Sequence, residues 1–266
     1  MRIPYIEIDG RPANVEQLRR LALVNDGHLT VMQVRDGAVR GLALHLARLD
    51  QANRELYGVA LDPDLVRARI RHALRSAASS AGSKISAEGA SVRVVVFPGA
   101  DGVAIMVAVS EPAEMPANPL RLCSFAYQRP FAHIKHVGSF GQIHLGRLAR
   151  RRGFDDALLT GPDGVISEGA ITNIGFIEGA GAVWPDAPAL HGVTMALLEE
   201  RLADIGLPSR RARVRLADLP SFRSAFVTNS RGIAPVAQID NTRIPVDTGI
   251  MNRLMKVYDA VPWDPI

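Results

Sequence analysis

Of the 31 lysines and arginines in the chain, three are lysines: Lys84, Lys135 and Lys256. Lys84 falls in a Ser/Gly-rich stretch and Lys256 in an amphipathic stretch near the C-terminus, positions that suit a solvated surface. Lys135 lies in Phe131-Ala132-His133-Ile134-Lys135-His136, just past a strand-like run and just before a glycine turn. Where arginine is the default cation, a lysine in an apolar setting points to a need for a primary amine. Such an amine can be desolvated to a lower pKa and can condense with a carbonyl, which a guanidinium cannot do. A carboxylate, Glu168, stands among small residues in Ser167-Glu168-Gly169-Ala170-Ile171-Thr172-Asn173, at the end of a short strand. Leu190-His191-Gly192-Val193-Thr194 opens a helix, and the free N–H groups of a helix start bind phosphate well. Thr228-Asn229-Ser230-Arg231-Gly232 offers further hydroxyl and amide donors at another strand end.

Each of these loops, taken alone, is more often merely a helix cap or a strand end. A lone amine, a carboxylate and two phosphate-type loops together point to pyridoxal phosphate. Metal chemistry is the weaker reading: His133, His136 and His144 have no matching carboxylate nearby in sequence. The single cysteine, Cys123, forbids an internal disulfide and leaves no cysteine cluster for zinc. We therefore expect no metal site. Gly179-Ala180-Gly181 is followed by no helix, so it is not a dinucleotide fingerprint.

These residues need a scaffold, and the chain divides near its middle to provide one. Glu111 to Pro119 reads EPAEMPANP, with no periodicity, and marks a connector. Before it, Ile3–Ile8 and His28–Val34 read as strands, and Arg35-Asp36-Gly37 as a hairpin turn. Leu42, Leu46, Leu49, Ala52 and Leu56 recur at helical spacing, and Leu65–Ala81 reads as a second helix. Residues 82–89 read as a loop, after which Ser91–Phe97 and Val103–Val109 flank a PGADG hairpin. Beyond the connector, strands are expected at Arg121–Tyr127, Asp156–Thr160, Val165–Ser167, Ile171–Ile177, Ala182–Trp184, Ala225–Asn229 and Val236–Ile239. Helices are expected at Gln142–Arg152, Thr194–Ile205 and Thr248–Ala260.

The composition narrows the function classes. With 47% hydrophobic residues the chain can fill a core, which excludes a mainly disordered protein. No apolar run approaches the length of about 18 residues that a spanning helix needs, and the first residues hold no apolar signal-peptide centre, so no membrane association is expected and a cytoplasmic location is. Net charge is +4, with arginine clusters at Arg147, Arg150, Arg151 and Arg152 and at Arg210, Arg211, Arg213 and Arg215. Neither cluster interleaves with aromatics, so solvated faces with an attraction for small anions are expected, and nucleic acid is not.

The sequence resembles the class IV aminotransferases, the fold-type IV pyridoxal-phosphate enzymes that include branched-chain and D-amino acid aminotransferases and aminodeoxychorismate lyase. The resemblance runs from IEIDG through NDGHLTVMQVRDG, HLARL, IKHVGSF, GFDDALLTGPDGVISEGAITNIGF and LHGVTM to FVTNSRGIAPV. Glu168 follows Lys135 at 33 positions, within the family's narrow range. The resemblance implies an α+β, two-domain fold with the cofactor between the domains: residues 1–111 as a small N-terminal domain, 112–118 as linker and 119–266 as a larger cofactor-binding domain. It further implies a homodimer acting on a small amino donor and a keto acid.

Carried over residue by residue, Lys135 is similar to the Schiff-base lysine and Glu168 to the carboxylate facing the pyridine nitrogen. Arg48 matches the phosphate-binding arginine, Val193 and Thr194 the backbone phosphate cup, and Asn229 with Ser230 the second phosphate loop. Leu190 matches the apolar side chain on one ring face, and Asn173 a polar residue near the cofactor hydroxyl. Arg93 is a candidate cation for a substrate carboxylate; Leu29, Thr30 and Phe140 stand where relatives line the substrate pocket. Departures fall on that substrate side. The tyrosine five residues after the lysine in branched-chain enzymes is Phe140, and the frequent arginine after the phosphate cup is Met195. An aromatic and a glutamate are replaced by Leu29 and Thr30, and the lyase's hydroxyl donor falls at Val31. A transaminase is the expectation; a lyase releasing pyruvate and a non-catalytic cofactor-binding protein are the alternatives.

Overall fold

The computed structural model describes residues 4–79, 89–100 and 102–266. Two compact units emerge. The first comprises the chain up to Ala113 together with Ile134–Gly138 and Pro262–Ile266; the second comprises Glu114–His133 and Ser139–Val261. Residues 111–119, which hold the three prolines, lie between the strands that end at Ser110 and begin at Leu120. A boundary drawn there misses two returns: the five residues around Lys135 and the last five both belong to the first unit.

The first unit contains β1 (Tyr5–Ile8), β2 (Arg11–Pro12), α1 (Val15–Val24), β3 (His28–Arg35), β4 (Ala38–Arg40), α2 (Leu42–Tyr57), α3 (Pro63–Ser79), β5 (Ala90–Gly99) and β6 (Gly102–Ser110). A further strand at Trp263–Pro265 gives a seven-stranded sheet running Trp263–Pro265, β4, β3, β5, β6, β1, β2. The β3–β4 turn is the two-residue hairpin that the sequence announces: Asp36 and Gly37 both take positive φ, 48° and 71°, as a primed turn requires. Alternation along β3 turns Met32 and Val34 toward α2 and α3, into a core with Leu46, Leu49, Val66, Ile70, Val92, Val94 and Val107. Leu29 and Val31 face the opposite side, against Ile8, Val95 and Phe97. Leu56, the last of the expected apolar positions on α2, is exposed.

Helix α1 was not expected. Its start is signalled by a capping box, Asn14 with Gln17, but none of its residues is fully buried, so its apolar spacing is weak. Helix α2 lacks a side-chain cap from Gly41. Instead the Leu42 N–H donates to Asp264 of the returning strand at 2.8 Å, which also sets a negative charge at the helix's positive end. Lys84 and most of the expected loop at 82–89 lie outside the described residues, as do Ile3 and Asp101.

The second unit contains β7 (Leu120–Ala126), α4 (Phe140–Arg151), β8 (Asp156–Thr160), β9 (Ile166–Gly169), β10 (Asn173–Glu178), β11 (Gly181–Pro185), α5 (Val193–Glu199), β12 (Ser209–Ala212), β13 (Ser224–Asn229), β14 (Gly232–Ile239), β15 (Thr242–Arg243) and α6 (Thr248–Asp259). Its nine-stranded sheet runs β12, β11, β10, β13, β14, β7, β8, β9, with β15 on β14. Phe176, Val183, Ala225 and Val227 fill one core, and Trp184 and Phe226 pack edge to face in another. The helix expected at Thr194–Ile205 is shorter. It ends at Glu199 and tightens into a 3-10 turn at Ala203–Ile205, which brings both Leu202 and Leu207 into the Trp184 core.

The second arginine cluster is not an open cationic face. Arg210 pairs with Glu178, Arg213 and Arg215 with Asp163, and Arg211 reaches both oxygens of Glu199 at 2.9 and 3.1 Å. No helix among the described residues is long and apolar enough to cross a membrane.

Candidate active site

Each unit gathers its own share of the expected residues. In the first, the half of β3 that β4 does not cover pairs with the lysine segment: the Leu29 N–H donates to the Lys135 carbonyl at 2.8 Å and the Val137 N–H to the Gly27 carbonyl at 2.9 Å. The two bonds flank His136, which bridges to His28, and the first of them fixes the Lys135 carbonyl. Thr30 lies on the face of β3 that α2 covers, and it is fully buried. His45 and Arg48 sit three residues apart on α2, hence on one face of the helix. The Thr30 hydroxyl lies 2.6 Å from His45 Nδ1, and an Arg48 guanidinium N–H donates to the same oxygen at 3.5 Å.

Burial, then the positive charges of Arg48 and Lys135, pushes the His45 imidazole down to about 3. Burial pulls the Arg48 guanidinium to about 10, so it stays charged at neutral pH. This group is therefore a neutral histidine beside two cations. Leu29 packs into the apolar cluster on the other face of the sheet. Arg93 lies on that face too, between its strand neighbours Val31 and Ala108, with an exposed side chain.

In the second unit, strand ends gather. Glu168, at the end of β9, is buried. Its Oε1 accepts from Arg129 at 3.0 Å and its Oε2 from the Leu190 N–H at 3.2 Å. Both side chains of the ion pair are nearly sealed from solvent, 5% exposed for Arg129 and 6% for Glu168. Arg129 also donates to the Ala132 carbonyl at 3.2 Å, which closes the turn after β7. Asn173 donates its side-chain amide to the Leu190 carbonyl at 2.6 Å, so it tethers the loop that leads into α5. That loop passes so close that a Cβ on Gly192 would lie 2.0 Å from Asn173 Oδ1. Only glycine fits there.

Thr194, in the first turn of α5, donates its hydroxyl to the Asn229 carbonyl at 2.8 Å and so ties the helix start to the end of β13. The Asn229 side chain accepts from the Arg231 N–H at 2.8 Å and shapes the loop that holds Ser230. Thr228, the cross-strand partner of Asn173, keeps a buried hydroxyl with no hydrogen-bond partner. Glu168, Asn173, Leu190, Val193, Thr194 and Asn229 are thus brought together, with Ser230 adjacent. Phe140 is not part of that group: it opens α4, is 77% exposed and stacks on His144 at 5.7 Å.

Two residues that matter were not anticipated. Arg129 looks like any other arginine in an arginine-rich chain; its one cue is a position between a strand end and the lysine turn. His45 was read only as part of the Arg48 motif. The histidines weighed as metal ligands form no such group, and no cluster of three His, Cys, Asp or Glu occurs among the described residues.

The sequence pattern of the class IV amino-transferases matches residues 27–239, and the chain belongs to that family. Among curated proteins it is 33% identical over 118 residues to a probable branched-chain-amino-acid aminotransferase of Rickettsia felis, an alignment covering 42% of this chain and 41% of that protein. The chain therefore spans less than half the length of that relative. Among solved structures it is similar to a fold IV transaminase from Curtobacterium pusillum, with TM-score 0.79 and 22% identity over 90% of this chain and 88% of that one. It is also similar to the pyridoxal-phosphate-bound form of a hypothetical aminotransferase from Mycobacterium tuberculosis, with TM-score 0.81 and 21% identity over 96% and 98%. These likenesses establish a mixed α and β fold of the fold-type IV class.

Proposed function

We propose that the chain is a pyridoxal-phosphate-dependent transaminase that moves an amino group from a small amino donor to a keto acid, working as a cytoplasmic homodimer. The observation that carries this reading is Glu168: a buried carboxylate with each oxygen already oriented, one by Arg129 and one by the Leu190 amide. The residues present fit the cofactor. The buried Thr228 hydroxyl and the glycine-only approach at Gly192 lie beside the loop that the reading assigns to it.

Pyridoxal phosphate, when bound, supplies an aldehyde and an electron-withdrawing ring. The chain supplies the rest. Lys135 provides the amine, and its Nζ takes the Cα proton of the donor and returns it. Glu168 keeps a carboxylate for the ring nitrogen, and Leu190 packs on a ring face. Arg48, the Val193 and Thr194 amides, Asn229 and Ser230 hold the phosphate. Arg93 is the cation for a substrate carboxylate.

Transamination is favoured over lyase chemistry by the register of β3. Its pairing with β5 runs unbroken from His28 to Val34, so Thr30 and Val31 point to opposite faces with no bulge between them. Val31 has no proton to give a departing group, and the Thr30 hydroxyl is already engaged by His45. The test mixes enzyme and amino donor without keto acid. Stoichiometric amination of the cofactor, reversed by adding a keto acid, is expected. Continuous pyruvate release from aminodeoxychorismate would replace this reading with the lyase, and no amination of any donor would leave a binding protein. Borohydride treatment of the loaded protein should fix the cofactor on Lys135; mass spectrometry finding it on Lys256 would reject that assignment.

A further inference from the structure

Thr30, His45 and Arg48 form a chain of contacts that meets at one hydroxyl oxygen. A guanidinium has only donors, so the Thr30 oxygen is the acceptor toward Arg48. The same hydroxyl lies 2.6 Å from His45 Nδ1, a separation that suits an O–H donor where that nitrogen carries no proton. In that arrangement a neutral His45 carries its own proton on Nε2. Its burial beside the charges of Arg48 and Lys135 agrees with that. The backbone supports the arrangement from both sides. Thr30 is central in an unbroken strand pairing, and His45 lies on the buried stripe of α2 with Leu42, Leu46 and Leu49. Neither end of the Thr30–His45 pair is free to wander, so the oxygen offered to Arg48 occupies one place.

We propose that Thr30 and His45 are positioning residues: a buried hydrogen-bonded pair that aims the Arg48 guanidinium and so sets the affinity of the protein for the phosphate group of its cofactor. This rests on the assignment of Arg48 to the phosphate. A third cation in place of the imidazole would repel both Arg48 and Lys135. An apolar side chain at position 30 would take the hydroxyl contact away from both Arg48 and the buried His45 Nδ1.

The test titrates cofactor-free protein with pyridoxal 5′-phosphate and, in parallel, with pyridoxal, which lacks the phosphate. Thr30→Val is expected to raise the Kd for pyridoxal phosphate about tenfold, while Thr30→Ser stays within about twofold and pyridoxal binding is unchanged in both. In an Arg48→Ala background, Thr30→Val should add nothing, because the group it aims is gone. Equal losses for pyridoxal and pyridoxal phosphate, or a loss that persists in the Arg48→Ala background, would overturn the proposal. A weakened Arg48→Ala beside an unaffected Thr30→Val overturns it alone. An Arg48→Ala protein that binds pyridoxal phosphate normally overturns the phosphate assignment as well. Should Thr30→Val not fold, His45→Asn, which keeps an acceptor at the Nδ1 position, and His45→Leu, which removes it, repeat the comparison from the other end.

Discussion

The two units bury polar groups in opposite ways. In the second, Glu168 and Arg129 sit side by side, so a charge taken out of water meets its opposite and the main-chain donors around it complete the set. In the first, His45 meets charges of one sign, from Arg48 and Lys135, and remains folded in only by being neutral. A paired site is electrically closed and holds its shape without a ligand. A neutral base beside cations is held instead by its hydrogen bond to a hydroxyl. The carboxylate is held by charge, the imidazole by geometry.

Substitutions can break this contrast at several strengths. Lys135→Ala should abolish transamination in a coupled keto-acid assay, since no other described lysine lies in either group, and Lys256→Arg should leave the rate unchanged. Arg129→Met strands Glu168 as an uncompensated buried charge, for an expected loss of about 3–5 kcal/mol in urea unfolding. The double variant Arg129→Met with Glu168→Gln should recover part of that loss; no recovery would mean that the ion pair is not what holds the region. Glu168→Gln alone should retain cofactor but slow turnover roughly a hundredfold, about 3 kcal/mol. Near-normal rates would make Glu168 structural.

The first unit predicts a pH effect instead. The unfolded chain takes up a proton on His45 near pH 6.5 that the folded chain refuses until about pH 3, so stability falls as pH drops through that window, by about 2 kcal/mol at pH 5. His45→Asn, which does not titrate, should flatten the fall between pH 7 and pH 5 by that amount. An unchanged slope would show that His45 is not neutral. The weakest expected effect lies on the surface. Asp163→Asn breaks its pairs with Arg213 and Arg215, both exposed, and should leave the unfolding midpoint where it was.

Local order was legible in the sequence. The Arg35–Ala38 hairpin, the α2 stripe and the strand ends at Glu168 and Asn229 follow from turn chemistry and spacing, because the forces that shape them act within a few residues. What was hidden depends on partners far along the chain. Arg129 gains its meaning from Glu168, 39 residues later. Thr30 stood where relatives line a substrate pocket, and only the position of His45 across the strand–helix contact gives its hydroxyl another partner. Helix α1 carries a legible cap but too little burial to produce a clear apolar stripe, and α5 stops early because two leucines must reach one core. The return of Ile134–Gly138 to the first unit has no local signature, since pairing with the open half of β3 is main chain to main chain.

The strand at Trp263–Pro265 has a consequence for the order in which the molecule is made. It completes the first sheet on β4 and its Asp264 caps α2, the helix that bears His45 and Arg48. During translation every strand of the second unit leaves the ribosome before this one does. The first unit, though begun first, waits with an uncapped helix and a bare sheet edge until the segment at residues 263–265 has left the ribosome. Nascent chains halted before that point should expose α2 to proteases that the finished chain resists.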